Sequence, residues 1–400
     1  MLYVGIDIAK NKHDVAVIDS EGTIFVRHLE IANNSEGFQH LKQTLDNLVQ
    51  ATGDTVQVGL EDTGHYCYNI ISFLRQNNFA VFSYNPLIIK EFVKSTTLRK
   101  TKTDRKDAMT IARKLMSDVD KALFEANPIM IELKYATRNV ARITKELSNQ
   151  KTQYIRLLDI VFPELVKALG KTNSVVETQN VYAVLKAYPA PIELANANLR
   201  TLTNVLEKHS HGRHGRERAI KMRDAAKITV GQNSPALRFE LLQTIDEIAY
   251  FSDLKNKAAK QVTTLMREID SPLLTIPGIS YNLASIILAE LRNVDSFKSP
   301  AQILAFAGSE PSVSTSGQNQ VETGHMVKRG SPQLRYALNQ AARGCARTSP
   351  TMKRYLNKKL GEGKHYNVAI SHVVKKLVRV IFRMLKYNDQ WDESKLIVNQ

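Results

Sequence analysis

Three short apolar segments in a row, followed by alternating helical and strand patterns, constrain the fold of the N-terminal part of the chain. Short apolar runs between polar turns are typical of β-strands. The three runs are Leu2–Ile8, Asp14–Asp19 and Ile24–Ile31, and the patterns after them are Ser35–Val49 (helix), Val56–Leu60 (strand), Tyr66–Gln76 (helix), Phe79–Tyr84 (strand) and Asp104–Met116 (helix). The pattern predicts an antiparallel meander that continues into strand and helix units.

This order predicts a mixed α/β domain of the ribonuclease-H-like (resolvase-like) type over residues 1–125. A nucleotide-binding doubly wound sheet would instead alternate strands and helices from its start. A sugar-kinase or actin-like ATPase also begins with a segment such as Gly5-Ile6-Asp7, and this alternative stays open. It is disfavoured because that fold needs a second glycine-rich phosphate loop, and the chain contains no Walker-type loop.

Two long helical patterns dominate residues 126–270. Ile129–Leu158 and Leu237–Ile269 carry apolar residues at helical spacing, which predicts an antiparallel, coiled-coil-like arm. Between them lies a basic, glycine-interrupted loop, Lys208–Arg216, that contains three histidines. A metal site there is one interpretation. We favour a solvated basic loop that touches nucleic acid, because no carboxylate or thiolate partner accompanies the histidines in the loop.

The remaining segment, residues 271–400, is predicted to be a mainly helical C-terminal domain. Pro277-Gly278 stands between helical patterns, which is typical of the hairpin in a helix-hairpin-helix element, where free backbone N–H groups hold a phosphate. A plain tight turn between two packed helices explains the same sequence, and both interpretations stay open.

The net charge of +16 is concentrated in one part of the chain. Residues 325–386 contain fifteen Lys or Arg residues and a single acidic residue, Glu362. Such an imbalance would repel itself without a polyanion, so we expect nucleic acid to bind there. The cations that we expect to contact nucleic acid are Lys100, Lys102, Arg105, Lys328, Arg329, Arg335, Arg343, Lys375, Lys376 and Arg379.

Composition excludes several classes of protein. No apolar run approaches the roughly 18 to 20 residues of a membrane-spanning helix, and the N-terminus lacks the features of a signal peptide. The two cysteines, Cys67 and Cys345, are too far apart in sequence for a zinc ribbon and too few for a disulfide scaffold. We therefore expect a cytoplasmic protein that makes no contact with a membrane.

Four carboxylates stand out by position. Asp7 lies inside the first apolar strand, where an unpaired charge is costly, and Glu61 directly follows the strand Val56–Leu60. Asp104 and Asp107 are three positions apart, so a helix would place both on one face. Together they would supply oxygen ligands for two Mg²⁺ ions. Each also has a simpler interpretation, as a turn cap, a surface acid or a first-turn helix acid.

The chain resembles the DEDD transposases of insertion-sequence family 110, which are related to Piv-type DNA invertases. The matching segments are residues 5–10 (GIDIAK), 60–66 (LEDTGHY), 98–108 (LRKTKTDRKDA), 276–279 (IPGI), 306–308 (FAG) with Pro311 and Ser316-Gly317, 328–330 (KRG) and 334–338 (LRYAL). The segments keep the family's order from one end of the chain to the other. Any one of them is weak, but the ordered set is specific.

The resemblance implies that Asp7, Glu61, Asp104 and Asp107 bind Mg²⁺, with Mn²⁺ as a substitute, and that Ser316 is a nucleophile that forms a phosphoserine with DNA. Ser314 is the main alternative to Ser316. The resemblance also implies donor and target DNA as substrates, a bridge RNA that pairs with both, and a homo-oligomer between dimer and tetramer. A nuclease or Holliday-junction resolvase, in which water attacks and Ser316 is only structural, remains the alternative function.

Overall fold

The computed structural model describes residues 1–61, 66–84, 89–93, 104–118, 128–310, 315–316, 319–320 and 326–396. The chain divides into two compact units, Met1–Ala126 and Asn127–Gln400. The finer division into domains 1–125, 126–270 and 271–400 stays a prediction.

The first unit is built on a five-stranded mixed sheet. Its strands are β1 (Leu2–Ile8), β2 (Lys12–Ile18), β3 (Ile24–Ala32), β4 (Val56–Glu61) and β5 (Ala80–Tyr84). Their order across the sheet is β3-β2-β1-β4-β5, with β1, β2 and β3 antiparallel and with β4 and β5 parallel to β1. The mixed α/β fold predicted from the order of the segments is confirmed. The strand order is consistent with the ribonuclease-H-like expectation.

Alternate residues of each strand face opposite layers of helices. Val4 and Ile6 of β1, with Val15 of β2 and Leu60 of β4, form one apolar cluster with α1 (Ser35–Thr52) and α2 (Cys67–Gln76). The residues between them in the strands face the other side, which α3 (Asp104–Ser117) covers. This alternation decides which polar side chains of the strands come together next to α3.

The second unit is helical. Its helices are α4 (Pro128–Val161), α5 (Glu164–Leu169), α6 (Gln179–Ala187), α7 (Pro191–Ala195), α8 (Leu199–Ser210), α9 (Arg216–Lys227), α10 (Pro235–Ile269), α11 (Tyr281–Leu291), α12 (Pro300–Ala307), α13 (Pro332–Thr348), α14 (Pro350–Gly361) and α15 (Tyr366–Tyr387). A short hairpin of β6 (Thr315–Ser316) and β7 (Asn319–Gln320) lies between α12 and α13. No helix in the described ranges is long and apolar enough to cross a membrane.

The long helices α4 and α10 pack against each other in antiparallel directions and join two apolar clusters. The end of α4 and the beginning of α10 contribute to a tip cluster together with α5, α6, α8 and α9, as at Tyr154 and Leu241. The beginning of α4 and the end of α10 contribute to a base cluster together with α11 to α15, as at Leu133 and Met266. The two helices therefore form an antiparallel hairpin, and the coiled-coil-like character of the arm stays a prediction.

The structure corrects the extent of the basic loop in the arm. Lys208, His209 and Ser210 belong to the last turn of α8, and Arg216 begins α9, so only residues 211–215 connect the two helices. The helical pattern extends further than the Gly and His content of the sequence indicated. The turn is tight because Ser210 Oγ accepts a hydrogen bond from the His214 N–H at 3.0 Å.

The turn at Pro277-Gly278 packs closely against helix α13. A Cβ atom on Gly278 would lie 2.4 Å from the carbonyl carbon of Gly344, so both positions require glycine. A 3-10 helix, Pro272–Thr275, precedes the turn, and the Ser280 side chain caps α11 by accepting from the Leu283 N–H. These contacts favour the tight-turn interpretation of this segment, and a phosphate-holding hairpin stays a prediction.

Candidate active site

Asp7 and Glu61 come together through the parallel pairing of β1 and β4. Ile6 is the register partner of Leu60, so the next residue in each strand, Asp7 and Glu61, lies at the same level of the sheet. Both strands end within one residue of these carboxylates, and both side chains are half-buried. Neighbouring residues in register project from the same face. Glu61 is thus the last residue of β4 rather than the residue after the strand, and it lies beside Asp7 at the ends of the two strands.

Helix α3 lies on this same face because glycine lets it approach the sheet. A Cβ atom on Gly5, two residues before Asp7, would lie 2.1 Å from the carbonyl oxygen of Ala108 and 2.4 Å from the backbone nitrogen of Ala112. A Cβ atom on Gly59 would lie 3.3 Å from side-chain atoms of Ile111 and Leu115. Because Gly5 and Gly59 have no side chain, α3 lies directly against β1 and β4.

The close approach brings the first turn of α3 to the carboxylates. Asp107 immediately precedes Ala108, whose carbonyl oxygen lies against Gly5, and Asp7 is the next residue of β1 on that face. Asp104 begins the helix, three residues before Asp107, and its side chain lies outside the described residues. These backbone contacts place the turn that carries Asp107 beside the strand ends that carry Asp7 and Glu61, and Asp104 begins the same helix.

Two further acids extend this arrangement. Asp14 of β2 is the register partner of Asp7, and Glu30 of β3 is the register partner of Asp14. One row across four neighbouring strands, which we call the carboxylate row, therefore contains Glu61, Asp7, Asp14 and Glu30. Asp14 is only 3% exposed, whereas Glu30 is exposed and pairs with Lys12.

Asp14 was not among the carboxylates that the sequence pattern predicted for the site, although a signal was present. Asp14 stands at the start of an apolar run, as Asp7 stands within one, and a buried carboxylate at either position needs a partner. The structure supplies that partner as His28 of β3, whose Nε2 bonds to Asp14 Oδ1. The ligand atoms of Asp14, His28 and Glu30 lie within 4.8 Å of one another. The arm histidines, His209, His211 and His214, are not part of that group.

The donor set at this edge fits a hard divalent cation. Asp7, Glu61 and Asp107 offer carboxylate oxygens only, and Mg²⁺ or Mn²⁺ prefers such oxygens to thiolate or thioether sulfur. The half-buried positions of Asp7 and Glu61 would leave one side of a bound ion open to water or substrate. We call Asp7, Glu61 and Asp107 the carboxylate site. Its side chains match the ligand preference of a hard divalent cation.

Backbone hydrogen bonds in the second unit join residues 306–310 to residues 327–331, on the two sides of the segment that carries Ser316, and we call these two stretches the frame. The Val327 N–H donates to the Glu310 carbonyl at 2.9 Å, and the Ser331 N–H donates to the Phe306 carbonyl at 2.8 Å. Ser316 lies in β6, where its register partner is Asn319 of β7. The side chain of Ser316 and the whole of Ser314 lie outside the described residues. The assignment of Ser316, or of its alternative Ser314, as a nucleophile stays a prediction.

The predicted nucleic-acid-binding cations divide into groups with different surroundings. Lys328, Arg329 and Arg379 are exposed. Arg335 donates to the carbonyls of Ala307 (2.8 Å) and Lys328 (3.3 Å), so part of its hydrogen-bonding capacity holds the frame together. Lys100 and Lys102 lie outside the described residues, as does the side chain of Arg105.

Two other predicted cations, Arg343 on α13 and Lys376 on α15, lie next to aromatic rings. Arg343 lies 5.3 Å from the ring centroid of Tyr366 and donates to Asn367 at 3.0 Å. Lys376 lies 4.9 Å from the ring of Tyr355, and burial lowers the pKa of its ammonium group. Lys375 is half-buried beside it. Cations beside aromatic faces are suited to contacts with both phosphates and bases.

Comparison with known proteins places two family models on this chain. Residues 4–163 match a model described as a transposase of the DEDD type in IS110 elements, and residues 270–357 match the transposases of the IS116/IS110/IS902 family. A Streptomyces coelicolor protein named as the mini-circle transposase for IS117 is 24% identical over 98% of this chain and 96% of its own length. The pilin gene-inverting protein of Moraxella lacunata is 22% identical over 98% of both chains. That of Moraxella bovis is 33% identical over 28% of this chain and 33% of its own.

Proposed function

Because the chain belongs to the IS110 family of transposases, enzymes that cut and rejoin DNA, we propose that it does so with a divalent-cation site in its first unit and a serine nucleophile in its second. The observation that carries the proposal is the meeting of Asp7, Glu61 and the first turn of α3 at one sheet edge.

Asp7, Glu61, Asp104 and Asp107 would hold two Mg²⁺ ions, with Mn²⁺ as a substitute. Bound there, the ions would stabilise the charge that develops on phosphate oxygens during displacement at phosphorus. The carboxylates would bind the ions, and the contact of α3 with Gly5 supports the position of the turn that carries Asp107. If Asp7→Asn or Asp104→Asn left DNA cleavage intact, this assignment would be wrong.

Ser316 would attack a DNA phosphodiester. Its Oγ forms a bond to phosphorus, one P–O bond of the DNA strand breaks, and the released strand end leaves as a hydroxyl that carries the serine proton. A hydroxyl of another strand end later attacks the phosphoserine, which rejoins DNA and restores the serine without net hydrolysis. Because Ser316 and the carboxylates belong to different compact units, this step requires both to reach the same DNA.

The serine assignment is tested by trapping the protein–DNA adduct. A radiolabelled DNA substrate is incubated with the wild-type protein, Ser316→Ala and Ser314→Ala in Mg²⁺, and denatured protein is separated on a gel. Adduct is expected with the wild type and with Ser314→Ala, and none with Ser316→Ala. Adduct formation by Ser316→Ala would refute the assignment. Cleavage without any adduct would favour the nuclease or junction resolvase in which water attacks.

A bridge RNA would choose the DNA sequences by base pairing, while the protein contacts backbone and shape. The exposed cations Lys328, Arg329 and Arg379, with those next to Tyr355 and Tyr366, support a nucleic-acid surface on the second unit. Sequencing the RNA that copurifies with the protein tests this part. A defined short RNA is expected, and strand exchange at normal rates without RNA would contradict it.

The protein would act as a dimer or tetramer, because cutting and rejoining two duplexes requires several active sites. The antiparallel hairpin of α4 and α10 would be the coiled-coil-like arm that joins the subunits. Light scattering of the full chain, with and without DNA, measures the assembly directly. A protein that remained monomeric during strand exchange would contradict this part.

A further inference from the structure

Asp14 occupies a position where a carboxylate is costly for folding. It is the direct register partner of Asp7 on the antiparallel strand and is 3% exposed. Side chains in register on one face have Cβ atoms about 4.5–5.5 Å apart, and like charges directly opposite each other destabilise a sheet. The next residues of β2 on this face are Ala16 and Ile18, which are buried and apolar. If position 14 were purely structural, a buried apolar side chain would cost less folding free energy there than a carboxylate.

His28 fixes the Asp14 carboxylate in place. Its Nε2 bonds to Oδ1 of Asp14, and the imidazole comes from the neighbouring strand β3, where it is partly covered. A carboxylate accepts bonds at both oxygens, and His28 uses one of them. The pair therefore resembles the supporting contacts that orient groups around protein metal sites, in which a second residue holds the first in one rotamer.

We propose that Asp14 is a positioning residue of the carboxylate site: held by His28, it accepts hydrogen bonds from water in the hydration shell of the cation that Asp7 holds. The inference rests on the proposed function, since it requires a cation at Asp7. It explains why a buried charge stands beside Asp7 in the carboxylate row. It also gives His28 a role, because its hydrogen bond keeps the Asp14 carboxylate in the rotamer that faces the ion.

The inference is tested by cation binding without any catalytic step. Mn²⁺ is titrated into the full-length wild type, Asp7→Asn, Asp14→Asn and Glu30→Gln, with free Mn²⁺ measured by electron paramagnetic resonance. Asp7→Asn is expected to lose the site. Asp14→Asn is expected to weaken it at least about tenfold, the usual cost of removing a supporting group. Glu36→Gln, which changes an exposed carboxylate on α1, is added as the control and should stay within about twofold of the wild type. Loss of binding in Glu30→Gln would show that Asp14, His28 and Glu30 hold the ion themselves, and would overturn the role given to Asp14.

Melting temperatures with and without Mn²⁺ distinguish positioning from folding. If Asp14 is only structural, Asp14→Asn lowers the melting temperature equally with and without Mn²⁺. The proposal predicts instead that the rise caused by Mn²⁺ becomes smaller, because a weaker site stabilises less. His28→Gln keeps an N–H donor near the Nε2 position and should bind Mn²⁺ more tightly than His28→Ala. The comparison of the two His28 variants tests the proposal even if Asp14→Asn does not fold.

The binding results distinguish a failure of the metal assignment from a failure of the role of Asp14. If the wild type and Asp7→Asn bind Mn²⁺ equally, the metal assignment of the proposed function fails. If Asp7→Asn loses Mn²⁺ while Asp14→Asn binds it as the wild type does, only the role of Asp14 is overturned. Equal affinities for His28→Gln and His28→Ala would likewise overturn the role of His28.

Discussion

The guanidinium of Arg138 contacts the carboxylate of Glu290 with 2.6 Å between Nη2 and Oε1, although Glu290 is only 7% exposed. The second carboxylate oxygen of Glu290 accepts a hydrogen bond of 2.7 Å from the hydroxyl of Ser331. The buried charge thus has a partner on both oxygens. The contacts connect the beginning of α4 with α11 and with the residue that caps α13.

We expect Arg138→Met to lower the free energy of unfolding by about 2 kcal/mol, because it leaves a buried carboxylate without its cation. The value lies below that for a fully buried pair, since the Arg138 side chain is 41% exposed and water screens the interaction. Urea unfolding measures the change. Arg142→Met, an exposed position on the same helix, is the control and should stay within about 0.5 kcal/mol. A double variant with Glu290→Gln should lose less than the sum of the two single variants.

Gly344→Ala should destabilise the second unit by about 3 kcal/mol or more, because the new Cβ would lie 2.5 Å from the carbonyl oxygen of Gly278. Thermal unfolding of the variant checks the value. Gly361→Ala at the end of α14 is the matched control, since nothing lies within 4 Å of its added Cβ. Equal stability of the two variants would contradict the close packing of the Pro277-Gly278 turn on α13.

Gly5→Ala should abolish DNA cleavage and Mn²⁺ binding in protein that is still folded. The added Cβ would displace Ala108 and Ala112 of α3 and with them the turn that carries Asp107. Gly59→Ala meets only side-chain atoms of Ile111 and Leu115, at 3.3 Å, so it should have a weaker effect on both measurements. Full cleavage activity in a folded Gly5→Ala protein would show that the helix does not position the site.

Arg379→Gln should weaken nucleic-acid binding for all sequences and reduce the salt dependence of binding by about one phosphate contact, because Arg379 is exposed on α15. Fluorescence anisotropy at several salt concentrations gives the slope. Arg335→Gln should also lower the melting temperature, since it removes the bonds to the carbonyls of Ala307 and Lys328. An unchanged slope for Arg379→Gln would remove that residue from the binding surface.

Stability should fall as the pH rises above about 9. Burial raises the pKa of the Cys345 thiol to about 12 and also raises the pKa of the Tyr154 and Tyr182 hydroxyls. In the unfolded chain these groups lose their protons at lower pH, so the unfolded state binds fewer protons and the free energy of unfolding decreases with pH. Urea midpoints at pH 8 and pH 10 test this. Cys345→Ala should show a smaller decrease, and equal midpoints at both pH values would contradict the prediction.

The alternation of apolar and polar residues predicted much of the first unit, because period and turn signals are local. It placed Asp7 correctly within β1, but it placed Glu61 directly after the strand Val56–Leu60, whereas β4 includes Glu61 as its last residue. It did not give the register between β1 and β2, which depends on the length of the turn between them, so the proximity of Asp14 to Asp7 was missed. Nor did it show that Arg335 donates hydrogen bonds to backbone carbonyls of the frame, because the bond to Ala307 joins residues distant in sequence.

The tip and base clusters of the helical hairpin have no described residue in common, although α4 and α10 run through both. We therefore expect the two ends of this pair of helices to open as separate cooperative units. Amide hydrogen exchange in the tip can proceed by opening events that leave the base intact. Such a partition allows residues 162–234 to be exchanged or shortened during evolution without disturbing the packing that supports Glu290 and the segment around Ser316.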